Sequence, residues 1–255
     1  MEKKQWWTPF PKVRYTERPD AATACVMEGN IVVLVDNSPA AMILPTHFFD
    51  FVQEANDYYF PPLIGTYLRV LRVVVFLLTM FITPVWYLLV KDPARTQAGL
   101  EFLAIESDYS VPLLVQLLLA EFIVDLLKLA SLNTPESLGM SLSVIGALIL
   151  GEFSVESGWF IPQSILVMAV VALASFTQPS IELGYAIKFS RVLMLIGAGT
   201  FGYWGALAAL AVVLLMMAFT KTLAGTSYIY PLIPFNAKAL SRYLFRVTSQ
   251  RAGKR

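Results

Sequence analysis

Between Ala186 and Thr220 the chain runs for 35 residues that are almost wholly apolar. As one straight helix rising about 1.5 Å per residue, this stretch would reach about 52 Å, against a hydrocarbon layer of ~30 Å. So long a run calls for a break, and Gly202-Tyr203-Trp204-Gly205 is the natural place for one. Three further apolar blocks are expected to be membrane crossings. Leu63–Val90 carries Arg69 and Arg72 near its start, an unbroken apolar run from Val73, and Trp86 and Tyr87 as an aromatic belt. Leu138–Phe153 follows the helix-start signal Thr134-Pro135-Glu136, and Ser164–Phe176 is bounded by Pro162 and Pro179. A fourth block, Val111–Leu132, has a helical pattern but carries Gln116, Glu121, Asp125 and Lys128. The chain is 57% hydrophobic and only 15% charged, whereas soluble domains are about half apolar and a quarter charged. These features predict an α-helical polytopic membrane protein of about six spans.

A four-span alternative lays Val111–Leu132 on the membrane surface and keeps Ala186–Thr220 as one tilted helix. Positive charge favours six. With the N-terminus cytosolic, the six-span arrangement leaves only Lys91 and Arg95 outside, so seventeen of the nineteen Lys and Arg face the cytosol. The four-span arrangement moves Lys128, Lys188 and Arg191 outside as well.

Residues 1–61 have a different character and are expected to form a small α/β cytosolic remnant. Asp20–Gly29 suits a short helix closed by its glycine. Ile31–Val35 and Ala40–Leu44, joined across Asp36-Asn37-Ser38-Pro39, suit a strand–loop–strand unit. Pro45-Thr46 is expected to open a short helix with Thr46 as its cap. Residues 62–222 then form the membrane domain and 223–255 a basic cytosolic tail.

The residue inventory narrows function. A net charge of +1 offers no basic face for nucleic acid. One cysteine, Cys25, and one histidine, His47, leave little material for a disulfide, a zinc site or a histidine-based triad, and neither residue has an evident partner. No enzyme activity and no cofactor is expected. Gly197-x-Gly199-x-x-Gly202 has the spelling of a dinucleotide fingerprint, but it lies inside an apolar run without a preceding strand. Close helix packing is the simpler use of those glycines, and Ala198, Gly202 and Ala206 form a small-residue stripe of the same kind.

Glu121, Asp125 and Lys128 fall within about 60° of one another around a helix. At membrane depth such groups face an interior, a partner or water, so this face is a candidate ion path or partner contact. An interfacial helix whose charges meet headgroups is the alternative. Glu152, at the end of Leu138–Phe153, is a candidate vestibule residue or a solvated end. Gly139, Ser143, Ala147 and Gly151 recur every four residues and form a flat stripe for close backbone approach, within one subunit or between subunits.

A set of ordered motifs resembles the GerA-type A subunits of bacterial spore germinant receptors. It comprises Arg14-Tyr-Thr-Glu-Arg-Pro-Asp20, Glu28-Gly29 before IVVLVD, Ser38-Pro39, Leu44-Pro45-Thr46, Asp57-Tyr58-Tyr59, Leu68-Arg69-Val-Leu-Arg72, Ile145-Gly146 through Gly151, and Pro179. Asn133-Thr134-Pro135 and Tyr230-Pro-Leu-Ile-Pro-Phe-Asn236 with Lys238-Ala-Leu240 look closer to the stage V sporulation AF branch than to a nutrient receptor. The resemblance implies a spore inner-membrane protein acting in germination, as a homo-oligomeric channel for monovalent cations or an amplifier of such a channel. It also implies other germination membrane proteins as partners, and a larger cytosolic domain of which residues 1–61 are the end. A non-conducting scaffold for other germination proteins is the alternative role.

Overall fold

The computed structural model describes residues 7–54, 59–92, 105, 109–133, 144, 146 and 148–245. The chain divides into two compact units, neither continuous in sequence. One comprises Met1–Leu77, Thr177–Phe189 and Ala211–Arg255; the other comprises Leu78–Phe176 and Ser190–Leu210.

The first unit holds a three-stranded antiparallel sheet in the order β1-β3-β2, with β1 at Arg14–Thr16, β2 at Ile31–Val33 and β3 at Ala41–Leu44. The central strand alternates: Ala41 and Ile43 are buried, while Met42 and Leu44 are less so. Val32 sits opposite Ile43 on one side, and Arg14 opposite Ile43 on the other. The expected strand over Ile31–Val35 stops at Val33, and Leu34 and Val35 are exposed ahead of the turn at Asn37, where φ is +60°. Helix α1, Pro19–Met27, starts on a proline at its first turn with Asp20 at its positive end. Gly29, at φ +94°, follows its end.

The cap expected at Thr46 is not there. The Thr46 hydroxyl donates to the Ile43 carbonyl at 2.9 Å, and His47 caps a single 3-10 turn, Phe48–Phe51, by reciprocal bonds with Asp50. The Leu44–Pro45 peptide just before it is cis. Phe10, Val13, Ile43, Phe51 and Tyr228 form the buried centre of this unit. Phe48 meets Phe76 and Tyr228 edge-on, at 5.0 and 6.3 Å between ring centroids. Burial pushes the Tyr228 phenol well above its ordinary range.

Among the described residues two helices are long and apolar enough to cross a membrane: α2, Pro62–Lys91, and α5, Ile181–Phe219. Between them lie α3, Leu113–Asn133, and the shorter apolar α4, Pro162–Phe176. Leu148–Phe153 is wound as a π-type stretch, followed by one turn at Ser154–Glu156. The expected span over 138–153 lies largely outside the described residues, as do Gly139, Ser143 and Ala147. In the second unit α2, α3, α4 and α5 share a core that includes Trp86, Leu117, Ile161, Met168, Leu195 and Ala198.

Helix α5 is two helices. Gly202 has φ +61° and ψ −137°, a backbone region open in practice only to glycine. In a straight helix Gly197 and Gly205 would be about 12 Å apart. Instead a Cβ on Gly197 would lie 2.5 Å from the Gly205 carbonyl oxygen, and one on Gly205 would overlap the Gly197 carbonyl. The chain therefore doubles back at Gly202, with the two arms in backbone contact. The arms, Ile181–Phe201 and Tyr203–Phe219, are about 31 and 26 Å long, each close to one bilayer core. The stripe expected along Ala198, Gly202 and Ala206 does not form one helical face, because the reversal falls in its middle. Ala198 is buried in the core, and nothing lies within 4 Å of a Cβ added to Gly202.

Candidate functional site

Polar chemistry in the second unit gathers around α3. The helix forms because a leucine-rich run, Leu113 to Leu119, carries no glycine, proline or β-branched cluster, and its polar residues fall on restricted faces. Gln116 is fully buried. Its Nε2 donates to the Val111 carbonyl at 2.8 Å, and its Oε1 accepts from the Ile161 amide at 3.0 Å. The Ser164 hydroxyl lies 3.0 Å from the same Oε1 and 2.8 Å from the Ile161 carbonyl. One side chain on α3 thereby satisfies the Ile161 amide at the N-terminal end of α4.

Five residues further on, Glu121 is 3% exposed and meets Arg191, 4% exposed, from α5. The contact is bidentate: Arg191 Nε to Glu121 Oε1 at 2.5 Å, and Nη2 to Oε2 at 2.7 Å. The guanidinium's third direction is also used, since Nη1 donates to the Thr79 carbonyl of α2 at 2.7 Å. Pro84, in the same stretch of α2, cannot donate to the Met80 carbonyl, the oxygen next to the one that Arg191 uses. Three helices therefore converge on one ion pair. Paired and hydrogen-bonded in this way, two opposite charges can persist in a water-poor interior. They are poorly suited to exchange with bulk solvent.

The three charges grouped by helical periodicity thus have different surroundings. Glu121 points into the core and has Arg191. Asp125 and Lys128 are half-buried, and the Lys128 ammonium lies 5.4 Å from the centre of the Phe176 ring at the end of α4. Glu152 is exposed, and a Cβ added to Gly151 meets nothing within 4 Å among the described residues. Sequence reasoning did not single out Arg191 or Thr79. The signal for Arg191 was a permanent cation inside an apolar run, with only Lys188 beside it, which calls for a carboxylate elsewhere; Thr79 acts through its backbone and leaves no signal. Among the described residues no group of three His, Cys, Asp or Glu side chains is placed to hold a metal.

In the first unit His47 and Cys25 do have partners. His47 Nδ1 is 3.2 Å from Asp50 Oδ2, and its Nε2 is 3.3 Å from the Thr226 hydroxyl. The Asp50 carboxylate also accepts from Tyr243 at 2.8 Å, on the C-terminal helix α6, Ala237–Leu244. Burial and the neighbouring Asp50 charge push the Tyr243 phenol far above its usual value, so this bond persists through the neutral range. Arg14 donates to the Asp50 carbonyl at 2.6 Å and approaches the buried Cys25 sulfur, whose thiol is pushed up chiefly by burial. This cluster holds segments together and contains no evident nucleophile.

The family model described as Bacillus/Clostridium GerA spore germination protein matches residues 1–255. The chain is 38% identical over 242 residues to stage V sporulation protein AF of Bacillus subtilis (strain 168), covering 95% of the chain and 49% of that protein. It is 29% identical over 245 residues to spore germination protein KA of the same organism, covering 94% of the chain and 45% of the relative. An uncharacterised membrane protein of that organism, YfkQ, is 25% identical over 232 residues, covering 90% of the chain and 45% of the relative. The chain spans about half the length of these curated relatives. No solved structure matches.

Proposed function

The chain belongs to the GerA family of spore germination proteins, and on that premise we propose that it is a channel-forming or channel-amplifying subunit releasing monovalent cations during germination. In this reading it is a multi-pass protein of the spore inner membrane. The doubling back at Gly202 supports six crossings over four, since each arm of α5 matches a bilayer core. The subunit works as a homo-oligomer, alongside other germination membrane proteins. Most of the apolar surface of α5 is left unburied by the described residues, which leaves it for lipid and for neighbouring copies. The stripe of Gly139, Ser143, Ala147 and Gly151 is assigned to that contact, and no described atom within 4 Å of a Cβ added to Gly151 stands in its way.

The observation that carries the reading is how charge is divided along α3. Glu121 and Arg191 neutralise each other in the core, whereas Asp125 and Lys128, one and two turns on, keep partial exposure. Ionisable groups at membrane depth are costly and mark ion pathways or partner contacts. Asp125 and Lys128 are the pair proposed to border the ion path, with Glu121 as the fixed inner end of the same face and exposed Glu152 at a vestibule. Side chains of opposite sign shift selectivity in opposite directions.

In planar bilayers Asp125→Asn should lower the cation-to-anion permeability ratio, and Lys128→Gln should raise it. The expected change is about two- to fivefold, as suits a ~0.5–1 kcal/mol interaction at a partly screened site. Two variants that assemble and conduct with unchanged selectivity would make the charges anchors of an interfacial helix. A scaffold role would then be favoured.

A further inference from the structure

The charge of this chain is unevenly placed. From Lys221 to Arg255 there are seven Lys and Arg and not one Asp or Glu, although the whole chain has a net charge of +1. The tail also exposes apolar side chains close to that charge. Leu232, Ile233 and Phe235 are 42, 53 and 71% exposed, with exposed Lys221 upstream and exposed Lys238 downstream. The backbone beside them is anchored by hydrogen bonds. Asn236 caps α6 by accepting from the Ala239 amide at 3.1 Å, and Tyr243 bonds Asp50 while its ring lies 5.8 Å from that of Phe49. One side of the tail is thus fastened to the 3-10 turn, and Leu232–Lys238 lies on the open side. The segment also follows directly on the apolar helix that ends at Phe219, through the loop Thr220–Tyr230.

We propose that Leu232–Lys238 is a docking surface for anionic phospholipid headgroups. Ile233 and Phe235 enter the interfacial layer, and Lys221 and Lys238 meet lipid phosphates. The argument for this occupant is charge complementarity: an acid-free basic segment with exposed apolar side chains, next to the end of an apolar helix, matches an anionic leaflet. A protein partner of ordinary surface composition would not require seven cations without a single acid. The proposal rests on the chain being a membrane protein and says nothing about conduction.

The test uses the full chain in vesicles, as the Cys25→Ser/Phe235→Cys variant carrying an environment-sensitive dye at 235. Flotation after an alkaline carbonate wash reports membrane insertion separately. In vesicles containing phosphatidylglycerol, the dye should shift to the blue and its quenching by acrylamide should fall several-fold relative to phosphatidylcholine alone. High salt should reverse both changes. Each of Lys221→Gln and Lys238→Gln should weaken the lipid dependence by about fivefold. Equal quenching in the two vesicle types, from chains that float, overturns the proposal and leaves the membrane reading intact. Protection in phosphatidylcholine that grows with the protein-to-lipid ratio also overturns it, by making a second copy the occupant. Chains that do not float sink both.

Discussion

Removing one partner of the Glu121–Arg191 pair should lower the stability of the folded chain by about 3–5 kcal/mol. The pair is bidentate, both side chains are nearly inaccessible, and the third guanidinium direction is taken by the Thr79 carbonyl. In Glu121→Gln a permanent cation stays in the core without the carboxylate that it pairs with. In Arg191→Met the carboxylate loses its counter-charge, and the Thr79 carbonyl loses its extra donor. Both should unfold at markedly lower denaturant or temperature in detergent, and α2, α3 and α5 should loosen together. The double variant Glu121→Leu/Arg191→Met should recover most of the loss, because no uncompensated charge remains. Additive single and double losses would mean that the two side chains contribute separately and that the pair is not the link between the helices.

The second large effect belongs to the contact between the arms of α5. A Cβ on Gly205 would overlap the Gly197 carbonyl, which is backbone and cannot rotate away. Gly205→Val should therefore push the arms apart at a loss of about 3 kcal/mol or more, near the upper end for overpacking. Gly197→Val should behave alike, since its added atom falls 2.5 Å from the Gly205 oxygen. Leu207→Ala, on an exposed surface of the second arm, is the matched control and should change little. Protease or thiol accessibility of the two arms in detergent would read the separation. Wild-type behaviour of Gly205→Val would contradict the doubled-back arrangement.

These features were not equally legible in the sequence. The break in Ala186–Thr220 followed from length alone, and the non-helical residue is the first of the four proposed there. The spelling Gly197-x-Gly199-x-x-Gly202 resolves into three separate tasks: close approach to Gly205, a site against the Leu114 side chain, and the reversal itself. What periodicity could not supply was the partner of Glu121. A helical wheel places Glu121, Asp125 and Lys128 on one face, but Arg191 lies 70 residues away, and only tertiary packing brings the two together. The strand at Arg14–Thr16 is three residues long with a charged first member, too short for any alternating pattern. The Thr46 cap was misplaced by one residue because its hydroxyl found the Ile43 carbonyl first. His47 has Asp50 three residues on, a pairing that only the tight 3-10 turn makes, and Thr226 from a distant segment; Cys25 meets Arg14, eleven residues before it.

The central claim is that this chain assembles into a cation-conducting unit, and ion efflux from vesicles tests it most directly. Vesicles loaded with potassium and carrying the purified chain should release it at a rate that rises with protein and exceeds that of protein-free vesicles. Release should be faster for potassium than for chloride, as the reading of Asp125 predicts. An oligomer that inserts fully yet releases potassium no faster than bare lipid would contradict the claim and leave an assembly scaffold in its place.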